Sequence, residues 1–408
     1  MESIRRTKYF FVYFDEIGFI DISLFLQGIA EFSAAQQILA LSILKGEGSP
    51  VSLKELQILS EISSSKWTPV SEVLKRFRVK LEFIHELARK GLILSDAEDE
   101  RSVEFRKRDE LLSSTQWNIH AALYHSMTKW KDMHLRVNLP DDLQELQEVN
   151  AANDETFSRF VELFGKPPDH FYSSPNTQSV RDLPLVKKKG GLYDVLLKRK
   201  TTRAYDRQKP MKLDDLSVIL YYVWGCHGYS PVWQDIIGLK KTSPSGGDLH
   251  PIEVYPLVTN VSGLETGLYH YSTKDHSLEL IMSLSQDEAS ELANEFTAGQ
   301  QFPRSAHVLF LMTARFYRNF WKYRQHQKSY SVIFMDAAHL SQTFYLVCAE
   351  LGLGAFITAA INSANIEQKL GFDGITEGAI AICGCGETSE KLTLDPEFIP
   401  YLPRETML

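Results

Sequence analysis

A lysine and a tyrosine stand side by side in a segment crowded with positive charge. The pair is Lys322 and Tyr323. The neighbouring cations are Arg315, Arg318, Arg324 and Lys328. Positive charge favours the deprotonated form of a lysine or a tyrosine, and that form can take a proton from a substrate. The pair is therefore a candidate general base, although an exposed helix of mixed charge would have the same composition.

Two arginines flank a hydroxyl earlier in the chain. Arg199 and Arg203 are four residues apart, with Thr201 between them. At this spacing both guanidiniums can converge on one phosphate, and each can bind it in a bidentate manner. A solvated basic end of a helix, which the helix dipole favours, is the alternative.

A loop with few side chains lies between these two runs. It contains Pro244, Ser245, Gly246 and Gly247, is followed by Asp248, and precedes an apolar segment that is typical of a strand. Glycines let the backbone approach a ligand closely, and its N–H groups can then bind an anion or a planar polar ring. A plain glycine turn is the alternative, since neither the GxGxxG nor the Walker spacing of phosphate loops is present.

A long apolar segment begins at Asp336. Its residues 336–351 predict a buried helix, with Asp336 at the N-terminus, where a carboxylate is favoured. His339, on the same helix, is interpreted as a satisfied core histidine. Polar residues in and after the segment, among them Gln342 and Glu350, argue against a membrane span.

The composition is that of a globular protein with a sizeable core. The 408 residues are 44% hydrophobic and 24% charged, which is enough chain for two domains. A net charge of −8 argues against general nucleic-acid affinity. Cys383 and Cys385 lack the spacing of a zinc site, so no metal is predicted. The early apolar run, 9–14, is too short for a signal-peptide core, so we expect a cytoplasmic protein without a membrane segment.

Residues 1–150 are predicted to form an N-terminal winged-helix-like domain. Two strand-like runs with a turn at Asp15 and Glu16 come first, and residues 34–44 have helical spacing. Residues 52–96 then fit three short helices and a strand.

Two functions suit such a module. Its third helix carries Glu82, His85 and Glu86, which are poor readers of DNA bases. We therefore expect it to dock a peptide or a partner enzyme rather than DNA.

Residues 151–190, rich in proline, lysine and glycine, are predicted to be a linker, and residues 191–408 a second domain. Helices and strands intermix there without a regular βαβ rhythm, which predicts an α+β fold with a largely antiparallel sheet flanked by helices. Residues 315–330 are predicted to form a polar, aromatic helix ahead of the buried one.

The order of these runs resembles a known family. R-x-[ST]-x-R-x-[FY], PSGGxLHPxEVY, R-x-x-WKYR and [DE]-A-x-H follow one another, and the likeness spans about residues 190–390. The chain resembles the SagB-type, or McbC-like, dehydrogenases of the FMN-dependent nitroreductase superfamily. The resemblance implies a nitroreductase-like, homodimeric fold with FMN as cofactor.

The resemblance also implies a role for each run. Arg199, Thr201 and Arg203 match the clamp on the flavin phosphate and ribityl chain. The loop from Pro244 to Gly247 matches one that approaches FMN, commonly from the partner subunit. Lys322 and Tyr323 match the pair proposed as catalytic in azoline oxidation.

Four positions depart from the family pattern. Ala359 and Ala360 stand where the family has a glycine-containing turn whose backbone hydrogen-bonds the isoalloxazine. Ala338 stands where a glycine is common, and Asp248 brings a negative charge where a small neutral residue is usual.

The function implied is FMN-dependent oxidation of azoline rings to azoles in a ribosomally made peptide, with a cyclodehydratase as a possible partner. One alternative is an NAD(P)H-using flavin reductase of dehydroamino acids or small electrophiles. The other is a winged-helix regulator with a flavin-sensing domain.

Overall fold

The computed structural model describes residues 1–20, 32–135, 158–159, 161–162, 165–166, 170–171, 174–184 and 188–389. Much of the predicted linker, the boundary at residue 150 and the C-terminal residues 390–408 lie outside the described residues. The described helices are α1 (Leu53–Glu61), α2 (Val70–Phe77), α3 (Leu81–Arg89), α4 (Glu100–Ser114), α5 (Ile119–Met127), α6 (Leu192–Lys198), α7 (Leu213–Trp224), α8 (Gln286–Phe296), α9 (Phe316–Tyr323), α10 (Ser329–Leu351) and α11 (Ser363–Leu370).

The described strands form one large sheet and three small ones. They are β1 (Ser3–Arg6), β2 (Phe10–Ile20), β3 (Phe32–Ser42), β4 (Glu47–Pro50), β5 (Thr68–Pro69), β6 (Ile93–Ser95), β7 (Gly228–Trp233), β8 (Ile236–Lys240), β9 (Ile252–Val258), β10 (Gly267–Ser272), β11 (Ser277–Ser283), β12 (Val308–Arg315), β13 (Gly354–Thr358) and β14 (Glu377–Gly386).

The large sheet has six strands in the order β11-β10-β9-β12-β14-β13. All neighbouring strands in it pair antiparallel, for example Leu309 with Leu257 and Phe310 with Cys383. The prediction of an α+β fold with a largely antiparallel sheet is confirmed.

Both faces of this sheet are covered by helices. Residues 308–314 of the central strand β12 are all buried, as expected for a strand between two helical layers. On one face, the ring of Trp224 from α7 stacks on Phe310 at 5.2 Å, and Phe344 from α10 lies 5.3 Å from Phe310. On the other face, Phe296 of α8 and Ile366 of α11 join Leu309 in a second core.

The long helix α10 begins earlier than predicted. It starts at Ser329 rather than Asp336, because Ser329, Tyr330 and Ile333 extend its buried face by two turns. The predicted single helix over 315–330 is therefore wrong: α9 ends at Tyr323, and Arg324 has a φ of 48°, which breaks the helix.

By length and composition α10 could cross a membrane. It contacts α7 and the large sheet, however, and buries Ala337, Leu340 and Phe344. This packing agrees with the predicted core helix.

The N-terminal half contains the three predicted helices and a small sheet. Helix α1 begins with the predicted capping box of Ser52 and Glu55. Strand β6 follows α3 and pairs with β1, which also pairs with β5. The sequence predicted the three helices but not β1. This strand lies near the start of the chain and forms the middle of the small sheet.

Two predictions for the first residues were wrong. Strand β2 continues through Asp15 and Glu16 without a turn, and its partner β3 occupies most of the segment that was predicted to be a helix at 34–44. Tyr13 pairs with Leu39 and Asp15 with Gln37 in this hairpin. Cross-strand pairing overrides the weak helical spacing of alternating small and aliphatic residues.

The two halves of the chain share one core. Tyr9, Leu94 and Trp117 belong to the same buried cluster as Phe316 and Tyr330. The division into an N-terminal domain, a linker and a C-terminal domain stays a prediction, and the packing shows that the halves are in close contact.

Candidate active site

The loop that contains Gly246 and Gly247 forms a single tight turn. Residues Gly246–Asp248 make one 3₁₀ turn, and the N–H of Asp248 donates to the carbonyl of Ser245 at 3.1 Å. Gly247 and Asp248 both have a left-handed backbone, with φ of 69° and 60°. Gly247 takes this conformation at little cost, whereas Asp248 takes it under strain.

A buried carboxylate fastens this loop to α10. Asp336 is 3% exposed. Ser245 Oγ donates to Asp336 Oδ2 at 2.5 Å, and the N–H of Gly246 donates to Oδ1 at 3.0 Å. Bonds to an ionised carboxylate are about twice as strong as neutral ones, so the loop is firmly held.

Two predictions about this contact need revision. Asp336 lies inside α10 and not at its N-terminus, and its function is to hold the loop. The hydroxyl of Ser245 also accepts the N–H of His250 at 2.9 Å, so its proton and one lone pair already have partners. The sequence predicted that Ser245 faces a ligand. Its bond to Asp336 could not be predicted, because the two residues are 91 positions apart and no local pattern marks the contact.

The side chains of Lys322 and Tyr323 lie against Gly247. Lys322 Nζ donates to the carbonyl of Gly247 at 3.4 Å. A Cβ built on Gly247 would lie 2.7 Å from Tyr323 Oη and 2.8 Å from Lys322 Nζ. The structure thus brings together the candidate base pair and the glycine loop, which are far apart in sequence.

Helix α9 explains this placement. It buries Phe316, Asn319 and Phe320 on one face, which follows the i, i+3, i+4 pattern of an amphipathic helix. Lys322 and Tyr323 therefore emerge at its C-terminal end, with Lys322 exposed and Tyr323 half-buried. Arg318 of the same helix donates to the carbonyl of Leu249 and holds the end of the loop.

Asp248 pairs with a histidine. Its Oδ1 lies 2.9 Å from His250 Nε2, and its Oδ2 lies so close to Gly238 in β8 that a Cβ there would clash with it. His250 Nε2 is also 3.2 Å from the carbonyl of Leu239. Burial, with a smaller effect of the Lys241 charge, lowers the pKa of His250. The Asp248–His250 pair therefore joins the loop to the β7–β8 hairpin through the carbonyl of Leu239.

The arginine run lies beside β13. Helix α6 ends at Lys198, and the run continues in extended form, so the arginines are not one helical turn apart. The Arg199 guanidinium lies 5.3 Å from the ring centre of Tyr345, and the Arg203 guanidinium 5.8 Å from that of Phe302. Thr201 Oγ1 is 3.0 Å from Tyr345 Oη. The two guanidiniums therefore stack on different rings.

The residue between these groups fixes the run to the sheet. Thr202 is buried, and its N–H donates to the carbonyl of Ala355 at 2.8 Å. A Cβ on Gly354 would lie 2.7 Å from Thr202 Cγ2, so the close approach requires glycine there.

The turn at Ala359 and Ala360 follows the end of β13. The buried amide of Gln300 donates to the carbonyl of Ala360 at 2.9 Å, and the N–H of Ala360 donates to Thr358 Oγ1 at 3.1 Å. Ala359 is exposed. Because Arg203 stacks on Phe302, which is two residues after Gln300, the turn and the arginine run share one neighbouring segment.

The predicted site residues thus form two clusters along α10. The guanidinium cluster (Arg199, Thr201, Arg203) meets the helix at Tyr345, and the glycine-loop cluster (Ser245, Gly246, Gly247, Lys322, Tyr323) meets it at Asp336. Nine residues of α-helix separate these contacts, a rise of about 14 Å.

The chemistry of the two clusters fits a flavin mononucleotide. Two guanidiniums and a hydroxyl suit a phosphate and a polyol chain. At Gly246 and Gly247 the backbone packs so closely against Val332, Lys322 and Tyr323 that a Cβ would clash, which leaves the exposed side of the loop without side chains. Among the described residues, no group of three His, Cys, Asp or Glu side chains could hold a metal ion.

Similarity to known proteins assigns the chain to a family. Residues 196–387 match the model of the nitroreductase family. Over 179 residues the chain is 32% identical to the Methanocaldococcus jannaschii protein named "Putative nitroreductase MJ1384", covering 44% of this chain and 83% of that protein. The chain belongs to the nitroreductase family, whose members are flavin-dependent oxidoreductases.

Two further similarities concern proteins named for peptide products. Over 222 residues the chain is 28% identical to the trifolitoxin-processing protein TfxB of Rhizobium leguminosarum bv. trifolii, covering 52% of this chain and 58% of that protein. A chain of the E. coli microcin synthetase McbBCD complex with truncated pro-MccB17 bound is 17% identical, with 69% of this chain and 94% of that chain covered. Its TM-score of 0.47 is too low to support an argument about function.

Proposed function

We propose that this protein is an FMN-dependent dehydrogenase that matures a ribosomally made peptide by oxidising azoline rings to azoles. One observation carries the proposal. The terminal atoms of Lys322 and Tyr323 both lie against Gly247, in the loop that resembles the flavin-facing loop of SagB-type dehydrogenases. A similarity to a protein named for trifolitoxin processing supports a peptide as substrate.

The reaction removes two hydrogens from the azoline ring. One leaves a ring carbon as a proton, which Lys322 or Tyr323 accepts as the general base, and the other leaves as a hydride. Bound FMN would supply the hydride acceptor and would be reoxidised by oxygen or another acceptor. The carbonyl of Gly247 orients Lys322 Nζ, and Asp336 keeps the loop in place during the reaction.

The cofactor would be held by residues from two protomers of a homodimer. Arg199, Thr201 and Arg203 would bind the phosphate and ribityl chain, and the backbone at Ala359 and Ala360 would face the ring. The loop from Pro244 to Gly247, about 14 Å further along α10, would serve the FMN of the partner.

We further propose a cytoplasmic location and an N-terminal half that docks the peptide or a cyclodehydratase. The NAD(P)H-using reductase remains the second candidate, because the same loop and cation cluster would also bind a reduced flavin. A winged-helix regulator is disfavoured because the exposed Lys322 beside a half-buried tyrosine is suited to proton transfer.

The first test is the colour of the purified protein. It should be yellow and should release FMN on denaturation. A colourless protein that gains no bound flavin absorbance on titration with FMN would refute the proposal.

The second test concerns the base pair. Lys322→Ala and Tyr323→Phe should lose most turnover of an azoline peptide and keep the flavin spectrum. Lys274→Ala, in an exposed turn, and Tyr317→Phe, on the exposed face of α9, are the matched controls and should keep full turnover. Unchanged rates in both site variants would remove the pair from the mechanism.

A further inference from the structure

The chain is strained directly after the candidate base pair. Arg324 has φ of 48° and ψ of −139°, a region that residues other than glycine rarely enter. Such a conformation costs about 1–3 kcal/mol and persists only where surrounding contacts hold it. The contacts that hold residues 324–328, the corner between α9 and α10, therefore also set where Lys322 and Tyr323 lie.

One of these contacts comes from the N-terminal half. Asn118 Nδ2 donates to the carbonyl of Gln325 at 2.9 Å. Its Oδ1 accepts the N–H groups of His120 at 3.0 Å and Ala121 at 3.2 Å, which caps the N-terminus of α5. A single buried side chain thus joins the start of α5 to the residue after the strained Arg324.

The neighbouring residue supports α9 from behind. Trp117 is 1% exposed, and its ring centre lies 4.8 Å from both Phe316 and Phe320. Its Nε1 donates to the carbonyl of Ile375 at 3.0 Å, which fixes the orientation of the ring. Phe316 and Phe320 are the buried face of the helix whose end carries the base pair.

We infer that Trp117 and Asn118 are positioning residues for Lys322 and Tyr323. That Lys322 and Tyr323 act as a base rests on the proposed function. The contacts through which Trp117 and Asn118 hold them in place do not depend on it. Besides the proposed docking, the N-terminal half would then position helix α9 so that Lys322 and Tyr323 lie against Gly247.

Asn118→Ser tests the link without removing the cap. Serine is a good N-cap residue, but it is too short to reach the carbonyl of Gln325. Arg324→Gly is the second variant, because glycine lets the corner adopt many other backbone conformations as well as the present one. Ser285→Ala, which removes the cap of α8 far from this corner, controls for a general loss of stability of about 1 kcal/mol.

The first measurement uses flavin-free protein. Lysines are acylated with a limiting amine reagent, and the rate at Lys322 is compared with that at the exposed Lys274 by peptide mass mapping. We expect the relative rate at Lys322 to rise about twofold or more in Asn118→Ser and Arg324→Gly, and to be unchanged in Ser285→Ala. A wild-type rate at Lys322 in both site variants would overturn the inference.

The second measurement uses the FMN-loaded enzyme. Asn118→Ser should lower kcat by about tenfold, because small misplacements of a catalytic group are costly, with little change in KM or FMN affinity. Equal losses in Ser285→Ala would show a stability effect and overturn the inference. If the wild type binds no flavin, the proposed function fails while the labelling result still decides the mechanical link.

Discussion

At the scale of single residues, the candidate site depends on the missing side chain of Gly247 and on the buried carboxylate of Asp336. The glycine leaves room for the ends of Lys322 and Tyr323, and the carboxylate holds the neighbouring peptide and hydroxyl. Asp248, the one charge that departs from the family pattern, pairs with His250 and lies against Gly238 of the β7–β8 hairpin. Its negative charge is therefore part of the loop's anchorage.

Gly247→Ala should disable the site. The new Cβ would meet Tyr323 Oη and Lys322 Nζ, so the base pair must move, and we expect turnover to fall by about a hundredfold. The measurement is steady-state turnover of the FMN-loaded variant.

Gly371→Ala is the matched control for the backbone strain of this change. Gly371 has a φ of 74°, close to that of Gly247, but its Cβ would meet nothing within 4 Å. Both variants should lose a similar stability of about 1 kcal/mol, and only the first should lose activity. Full turnover in Gly247→Ala would contradict the geometry.

At the scale of elements, β13 and α10 fix the two clusters. Thr202 packs on Gly354, which places the arginine run, and α10 contacts that run at Tyr345 and the glycine loop at Asp336. The sequence predicted each run but not this arrangement. It also predicted α10 seven residues too short, because the polar residues before it masked the buried face of Ser329 and Ile333.

Gly354→Ala should weaken FMN binding. Its Cβ would clash with Thr202 and push the arginine run away from β13. If the run holds the phosphate as proposed, the change would remove at least one charge-assisted hydrogen bond to it. Such a bond is worth about 1.5–3 kcal/mol, so we expect affinity to fall by about tenfold or more.

Fluorescence titration with FMN measures the affinity. Gly228→Ala, also in a strand, is the control, because its Cβ would come no closer than 3.6 Å to Lys240. The same FMN affinity in both variants would show that the arginine run does not hold the cofactor.

At the scale of the whole molecule, the two halves are joined by a buried polar contact. His125 of α5 lies 2.8 Å from both the carbonyl of Gly374 and Tyr330 Oη. A carbonyl can only accept, so Nε2 of His125 carries the proton it donates to Gly374, and in the neutral ring Nδ1 then accepts from Tyr330 Oη. Burial, and then the charge of Lys129, lowers the pKa of this histidine well below its usual value.

Acid should therefore loosen the joint between the halves. The unfolded chain takes up a proton at His125 near pH 6.5 while the folded chain does not, so this stabilisation is complete above about pH 6.5 and is lost as pH falls below it. We expect the melting temperature to fall between about pH 7 and pH 5 more steeply in the wild type than in His125→Asn. Equal slopes by differential scanning fluorimetry would show that His125 is not the group responsible.

The sequence by itself determined the fold class, the three short helices within residues 52–96 and the runs that carry chemistry. These are set by short-range patterns: buried periodicity, a capping box, and glycines beside a strand. The tertiary structure alone decided that Lys322 and Tyr323 meet Gly247, that Asp336 holds the loop, and that Trp117 and Asn118 support α9. Each of these contacts joins residues distant in the chain, and pairing between distant residues depends on how the sheets and helices pack rather than on local preference.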